Sequence, residues 1–252
     1  LVFIKQTLFP ELEVYLLAID ERMEIKMKNN LQSYGINLLE IPCFNGLSEP
    51  VSAHVDMQIT HIFEDIIVCQ PQMPEYFYQQ LKDYGFRVYK GASILNKHYP
   101  LDIPYNVAIV GDVAFHNTKY TDPVIVGLLS RLKIRLVHVN QGYTKCSVLP
   151  ITNKSIITDD PSIEKAARLE GFDVLKLPPQ RNIVLSGLNY GFIGGTAGFI
   201  GKNTLAFSGS IDAIDSKDEI KEFLHKYNVE WINLGDNQLH DYGGLIPLLG
   251  KI

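Results

Sequence analysis

Apolar and polar positions along the chain alternate between two rhythms, and the order of the rhythms repeats. Five stretches space their apolar residues three and four apart, as one buried helix face requires, and each carries its own start or stop signal. "ERMEIKMKNNLQSY" follows Asp20 and ends before Gly35, and "PEYFYQQLKDY" opens at Pro74 and ends before Gly85. "PVIVGLLSRLK" is opened by Asp122 and Pro123, and "PSIEKAARLE" by Asp160 and Pro161 before Gly171. Over "KDEIKEFLHKY", Ser216 and Glu219 read as a capping box. A short apolar run follows each helix: "NLLEIP", "FRVYKG", "IRLVHVN", "DVLKLP" and "VEWINLG". Hairpin-like pairs with polar or glycine turns precede the last four helices: "MQITHIFEDIIVC", "NVAIVGDVAFHN", "CSVLPITNKSIITDD" and "FIGGTAGFIGKNTLAFSG".

The pattern predicts an α/β chain in which a ββαβ unit occurs five times at roughly 40 to 55 residue intervals, near the period of a propeller-type array. One such unit cannot bury its own apolar face, so five are expected to close into a pseudo-fivefold ring around a central channel or pocket. The first unit lacks a leading hairpin, and the C-terminal "GGLIPLLGKI" is placed to lend it a strand, closing the ring through both termini. The whole chain, 1–252, then forms a single domain. An open α/β sheet with unequal loops is the alternative; regular punctuation of all five helices favours the ring.

Composition narrows the chemistry. The chain has 252 residues, 46% of them hydrophobic, and a net charge of −5 with no run of lysines or arginines. Neither a nucleic-acid partner nor an anionic membrane surface is expected, since both are bound through basic patches. The apolar start is interrupted by Lys5, Pro10, Glu11 and Glu13, short of the ~20 residues that a membrane helix needs. The absence of an initial Met points to missing first residues. Cys43, Cys69 and Cys146 are odd in number and widely spaced, which fits a reducing cytoplasm and neither a disulfide framework nor a zinc site. No HExxH or comparable ligand spacing occurs, so no metal and no cofactor is expected. The glycines of "GFIGGTAGFIGKNT" miss the phosphate-loop pattern at Thr196 and Asn203. They fit close backbone approach near the ring axis, or room left for a ligand.

Cys146 lies in "QGYTKCSVLP", at what reads as the head of a strand. A free cysteine is commonly a small buried hydrophobe, and becomes a nucleophile only beside a cation or a base. Lys145 is adjacent, but neighbours on a strand face opposite ways. His54 and Asp56 in "SAHVDMQ" lie two units earlier; on a strand they share a face, so Asp56 can orient the imidazole or bind a substrate amine.

Five ββαβ units, "GYTKCSVLP" and "SAHVDMQ" together resemble the pentein superfamily of guanidine-modifying enzymes, which includes arginine deiminase, dimethylarginine dimethylaminohydrolase, agmatine deiminase and amidinotransferase. In those enzymes the nucleophilic cysteine sits near the chain end in a motif like GGxxCxxxP, and the acid/base histidine in an HxD motif two repeats earlier. The resemblance implies the five-bladed pentein fold, with Cys146 as nucleophile, His54 as acid/base and Asp56 beside it. The cysteine unit is fourth here rather than last, as a circular permutation produces. The family's FVEDTA and GGD patterns correspond to "FIGGTA" and "DYGGLI", so Gly194, Gly195 and Leu245 stand where acids would be. A buried guanidinium requires paired carboxylates, and these residues cannot supply them.

The expected function is a Cys/His-dependent hydrolase or amidinotransferase acting on a small amidine, amide or related molecule. A non-catalytic binding protein on the same ring, like the ribosome anti-association factor, is the alternative that the missing acids favour. Candidates for substrate contact are Gly194, Gly195, Asp241, Asp112 and Arg181, with Asp212 a further candidate for the third polar group.

Overall fold

The computed structural model describes residues 1–252. It contains five small sheets, four of three strands and one of four. Each repeats one plan: two antiparallel inner strands, a helix, and an outer strand that returns parallel to the second. In the second unit these are Ile59–Phe63, Ile66–Cys69 and Arg87–Lys90; in the third, Ala108–Val110, Val113–His116 and Arg135–His138. The fourth uses Leu149–Thr152, Ser155–Thr158 and Asp173–Lys176, and the fifth Ala197–Gly201, Thr204–Phe207 and Glu230–Asn233. In the first unit Val14–Asp20 and Asn37–Ile41 are joined by Ile246–Gly250 from the C-terminus, which pairs antiparallel to Val14–Asp20 and also holds Val2–Phe3. The borrowed strand closes the first unit as the pattern predicted.

Burial explains the sequence rhythm. Middle strands such as "IIVC" and "TLAF" are covered on both faces and are apolar almost throughout, whereas outer strands such as "RVYK" and "EWIN" keep polar ends in water. Five clusters of buried apolar side chains hold the units together, and each cluster is made by two neighbours. Leu39 and Ile41 of the first unit pack with Ile67 and Phe77 of the second. Met57 and Val68 meet Tyr105 and Ile109, Val110 and Phe115 meet Ile156 and Ile163, and Leu149 and Ile157 meet Phe199 and Phe207. Ile200, Ala206 and Leu234 of the fifth unit then pack on Leu17, Ile19 and Leu31 of the first, which closes the ring and excludes the open sheet.

The peripheral helices are α1 (Ile25–Ser33), α2 (Glu75–Asp83), α3 (Pro123–Arg131), α4 (Pro161–Leu169) and α5 (Lys217–Lys226). Asp122 and Asp160 cap α3 and α4 as expected, each accepting two backbone N–H groups of the first turn. Two caps differ from expectation. Asp20 ends a strand and binds Arg22, and α1 begins only after Glu24. The Ser216 side chain makes no capping bond over α5, and Gln180 reaches its hydroxyl instead.

Candidate active site

A short segment precedes the first strand of every unit and turns inward to the axis. In chain order these segments carry His54 and Asp56, Asn106, Lys145 and Cys146, Gly194 and Gly195, and Asp241 to Leu245. Three of them correct the expectation of strands: Val55–Gln58 and Thr144–Ser147 are single helical turns, and Ile193–Gly195 is a 3-10 turn. Four-residue helices are not self-sustaining, and the neighbouring units supply what they lack. Asn106 Oδ1 accepts the N–H of Lys145 (2.7 Å) and of Cys146 (3.3 Å), satisfying two amides at the start of the turn. Asn106 Nδ2 donates to the Asp56 carbonyl at 3.3 Å, and Lys145 Nζ donates to the Gly194 carbonyl at 3.0 Å. Tyr242 and Gly244 donate their N–H groups to Gly195 O. The five segments thus brace one another around the axis.

Cys146, His54 and Asp56 are all at most 2% exposed, and their donor atoms lie within 4.8 Å of one another. The Cys146 thiol donates to Asp56 Oδ2 at 3.1 Å and lies 3.3 Å from Asn106 Nδ2. His54 Nδ1 stands 3.9 Å from Asp241 Oδ1. Neither ring nitrogen of His54 nor Asp56 Oδ1 has a hydrogen-bond partner, although all three atoms are buried. Buried polar atoms are normally paired, so these three atoms are the ones free to engage a bound group. The same three residues have the donor types and proximity to hold a metal ion; only folding brings them together, which is why no sequence spacing announced it.

Burial dominates the titration of the site. It pushes the Cys146 thiol well above its usual range, a direction reinforced by the carboxylates of Asp56 and Asp241. Asp56 is raised to about 7 by burial, against the pull of the Lys145 ammonium. His54 is lowered to about 4 by burial, with Asp241 opposing. These directions leave a neutral imidazole, a protonated thiol and a carboxyl group that titrates near pH 7.

Gly195 and Asp241 account for the missing acid. A Cβ built on Gly195 would lie 1.8 Å from Asp241 Oδ1, so the space of a side chain at 195 is occupied by the Asp241 carboxylate. Asp241 is held there by the N–H groups of Phe192 (2.8 Å) and Gly243 (3.0 Å). Gly194 is tight for another reason: its Cβ would lie 2.2 Å from the Val148 carbonyl. Leu245 is simply apolar core. Asp112 and Asp212 are exposed partners of Lys154 and Lys221, and Arg181 is exposed on the loop after the fourth unit; none lines the cavity over Cys146. Asn106 and Lys145 were missed as site residues. The signal that could have found Asn106 is its place: it lies two residues before the first strand of its unit, as Asp56 and Cys146 lie three before theirs.

A cavity of about 250 Å³ opens over Cys146, with His54 and Asp241 beside the sulfur at its floor. Val51 and Ser48 come from the loop before His54, and Leu185, Leu188, Asn189 and Tyr190 from the loop 177–192. That loop is tied down at both ends: Val184 donates to Leu239 O, Asp241 N–H donates to Val184 O, and Gly191 donates to Ile183 O.

A family model described as a family of unknown function (DUF6873) matches residues 18–246. The chain belongs to the DUF6873 family. No curated protein matches it. Among solved structures, this DUF6873 chain is similar to SxtG, an amidinotransferase of the saxitoxin biosynthetic pathway from Microseira wollei (9% identity, TM-score 0.60, 98% of each chain covered). It is also similar to inosamine-phosphate amidinotransferase from Streptomyces griseus (8% identity, TM-score 0.61, covering 98% of this chain and 97% of that one). Agmatine deiminase from C. jejuni is a third (14% identity, TM-score 0.54, 98% and 96% covered). At such identities the likeness carries the fold, which is that of the pentein superfamily. No helix of the chain is long and apolar enough to cross a membrane.

Proposed function

We propose that this chain is a cysteine-dependent enzyme that attacks the sp² carbon of a small amidine, guanidine or amide, as a hydrolase or an amidinotransferase. The observation that carries this reading is the buried meeting of Cys146, His54 and Asp56 within 4.8 Å, with unpaired atoms on His54 and Asp56. The amidinotransferases and deiminase that share the fold act on chemistry of this kind, which adds support. Asp241, standing in the space left by Gly195, weakens the case for a non-catalytic binding protein, which rested on the missing acids.

The steps follow from the geometry. A cationic head entering the cavity places positive charge beside Cys146 and lowers the thiol pKa that burial had raised. The thiol proton passes to His54, whose imidazolium faces the Asp241 carboxylate, while Asp56, bonded to the thiol from behind, holds the sulfur in place. The sulfur lone pair forms the S–C bond, and the C=N electron pair moves onto nitrogen. His54 returns its proton to the leaving nitrogen, the C–N bond breaks, and an amine or ammonia departs, leaving a thioester-like or thiouronium adduct. Water, or an acceptor amine, loses a proton to His54 and adds to that carbon; the C–S bond breaks, its electron pair leaves on sulfur, and His54 returns the proton to the Cys146 thiolate.

The test is alkylation by 2-chloroacetamidine with the modified cysteine mapped by mass spectrometry, which separates Cys146 from exposed Cys43. Native Cys146 is expected to react faster than in unfolded chain, and Cys146→Ala to abolish amine release from an amidine and guanidine panel. Labelling no faster than the unfolded thiol, together with activity untouched by Cys146→Ala, overturns the assignment.

A further inference from the structure

The walls of the cavity differ in chemistry from its floor. Tyr143, Phe192 and Tyr190 form a chain of rings, with centroids 6.2 Å apart at 28° for the first pair and 6.1 Å apart at 81° for the second. The Tyr143 hydroxyl donates to Asp102 Oδ2 at 2.5 Å, which spends its polar end away from the cavity. Val51, Leu185 and Leu188 complete an apolar wall, and none of the eleven lining residues is a lysine or arginine. Leu188 and Tyr190 remain 57% and 45% exposed at the rim, large apolar surfaces with nothing over them. At the floor Asp241 is the one acid among the lining residues, buried beside Cys146 with no lysine or arginine opposite it, so a cationic head meets a carboxylate there.

We infer that the cavity selects a cationic amidine or guanidine head borne on an apolar, aromatic-sized arm that carries no carboxylate or phosphate. The inference names the substrate class of the proposed cysteine enzyme and rests on Cys146 being its reacting end. A volume of about 250 Å³ is below the roughly 300 to 1,000 Å³ of drug-sized sites, and admits one ring with its head group. An arm ending in a carboxylate would bury that charge against aromatic rings with no cation to meet it. The rings and Leu188 offer an uncharged arm its contact instead.

The experiment is titration calorimetry on Cys146→Ser, which keeps the size of the site and stops turnover. Benzylguanidine, butylguanidine, 4-guanidinobutyrate and L-arginine are the probes. Benzylguanidine is expected to bind at least tenfold more tightly than 4-guanidinobutyrate or L-arginine, and butylguanidine to fall between. Leu188→Lys, an exposed change that the fold tolerates, is expected to narrow or invert the preference between butylguanidine and 4-guanidinobutyrate. Equal or tighter binding of the carboxylates, no binding of benzylguanidine, or an unmoved preference in Leu188→Lys overturns the inference. Because binding is read without turnover, an unreactive Cys146 with selective benzylguanidine binding sinks the enzyme and leaves the cavity's selectivity standing. Reactive Cys146 with carboxylate-preferring binding does the opposite.

Discussion

Substituting alanine for Gly195 isolates the one packing relation that restores an acid to the site. The Gly195 backbone is not among the positive-φ glycines, so an alanine there carries no conformational strain. What the added methyl meets is a carboxylate: Oδ1 of Asp241 at 1.8 Å and its Cγ at 2.4 Å. Asp241 is 3% exposed and its side chain is too short to swing clear without releasing the N–H groups of Phe192 and Gly243. Overpacking costs about 1–3 kcal/mol, and each lost hydrogen bond to a charged group about 1.5–3 kcal/mol. With partial relaxation, Gly195→Ala is expected to cost about 3 kcal/mol, a drop of roughly 6–12 °C in Tm for a chain of this size. A double-mutant cycle in urea supplies the decisive comparison. In an Asp241→Ala background the carboxylate is gone, and the same glycine change is expected to cost less than about 0.5 kcal/mol. Gly194→Ala is the control, since its methyl would strike the Val148 backbone, which Asp241→Ala does not remove. Full additivity of the Gly195 and Asp241 changes would refute the packing relation, as would a Gly195→Ala protein as stable as the parent.

The other expectations concern pH and bracing. His54, His61 and His116 are each lowered to about 4 by burial, so the unfolded chain binds more protons between about pH 4 and 6.5, and stability is lost as pH falls through that window. Asp56, raised to about 7, acts oppositely: the folded chain holds its proton longer, and stability is lost as pH rises from about 4 to 7. Asp56→Asn should therefore steepen the rise in stability between pH 4 and 6.5 and gain on the parent as pH approaches 7; an unchanged pH profile by urea unfolding would contradict the burial of a titrating Asp56. Asn106→Ala, which orphans the Cys146 amide and leaves Lys145 N–H only its 3.3 Å bond to the Asn106 backbone carbonyl, should cost about 1–3 kcal/mol and slow alkylation at Cys146; unaltered stability would mean that the turn stands without the side chain. Asp122→Ala should cost about 3–4 kcal/mol and Asp160→Ala about 1–2 kcal/mol, because Asp122 also accepts from Ala92 and Ser93 across the loop; the reverse order in thermal melts would contradict this.

The outer parts of the fold are readable because their causes are local. Asp-Pro pairs before α3 and α4 cap those helices within three residues of sequence, and the capped helices appear where the pattern placed them. Ser216 with Glu219 carries a local capping signature too, yet the Ser216 side chain makes no capping bond and accepts from Gln180 of another segment. At the axis local signals fail more broadly. "TKCS" and "VDMQ" read as strand heads but form single helical turns, since their amides and side chains are satisfied by groups far away in the chain.

Taken alone, the sequence determines the count of units, the borrowed closing strand, and the residue types that reach the axis, because hydrophobic period and turn chemistry act over a few residues. Only the tertiary structure decides which of those residues meet. Cys146 donates to Asp56 across 90 positions of chain, Asn106 braces Cys146 across 40, and Asp241 fills the void of Gly195 from the closing strand's approach. The physical reason is closure: the ring folds five separate segments onto one axis, and the charge, space and hydrogen bonds lacking in each are supplied by its neighbours.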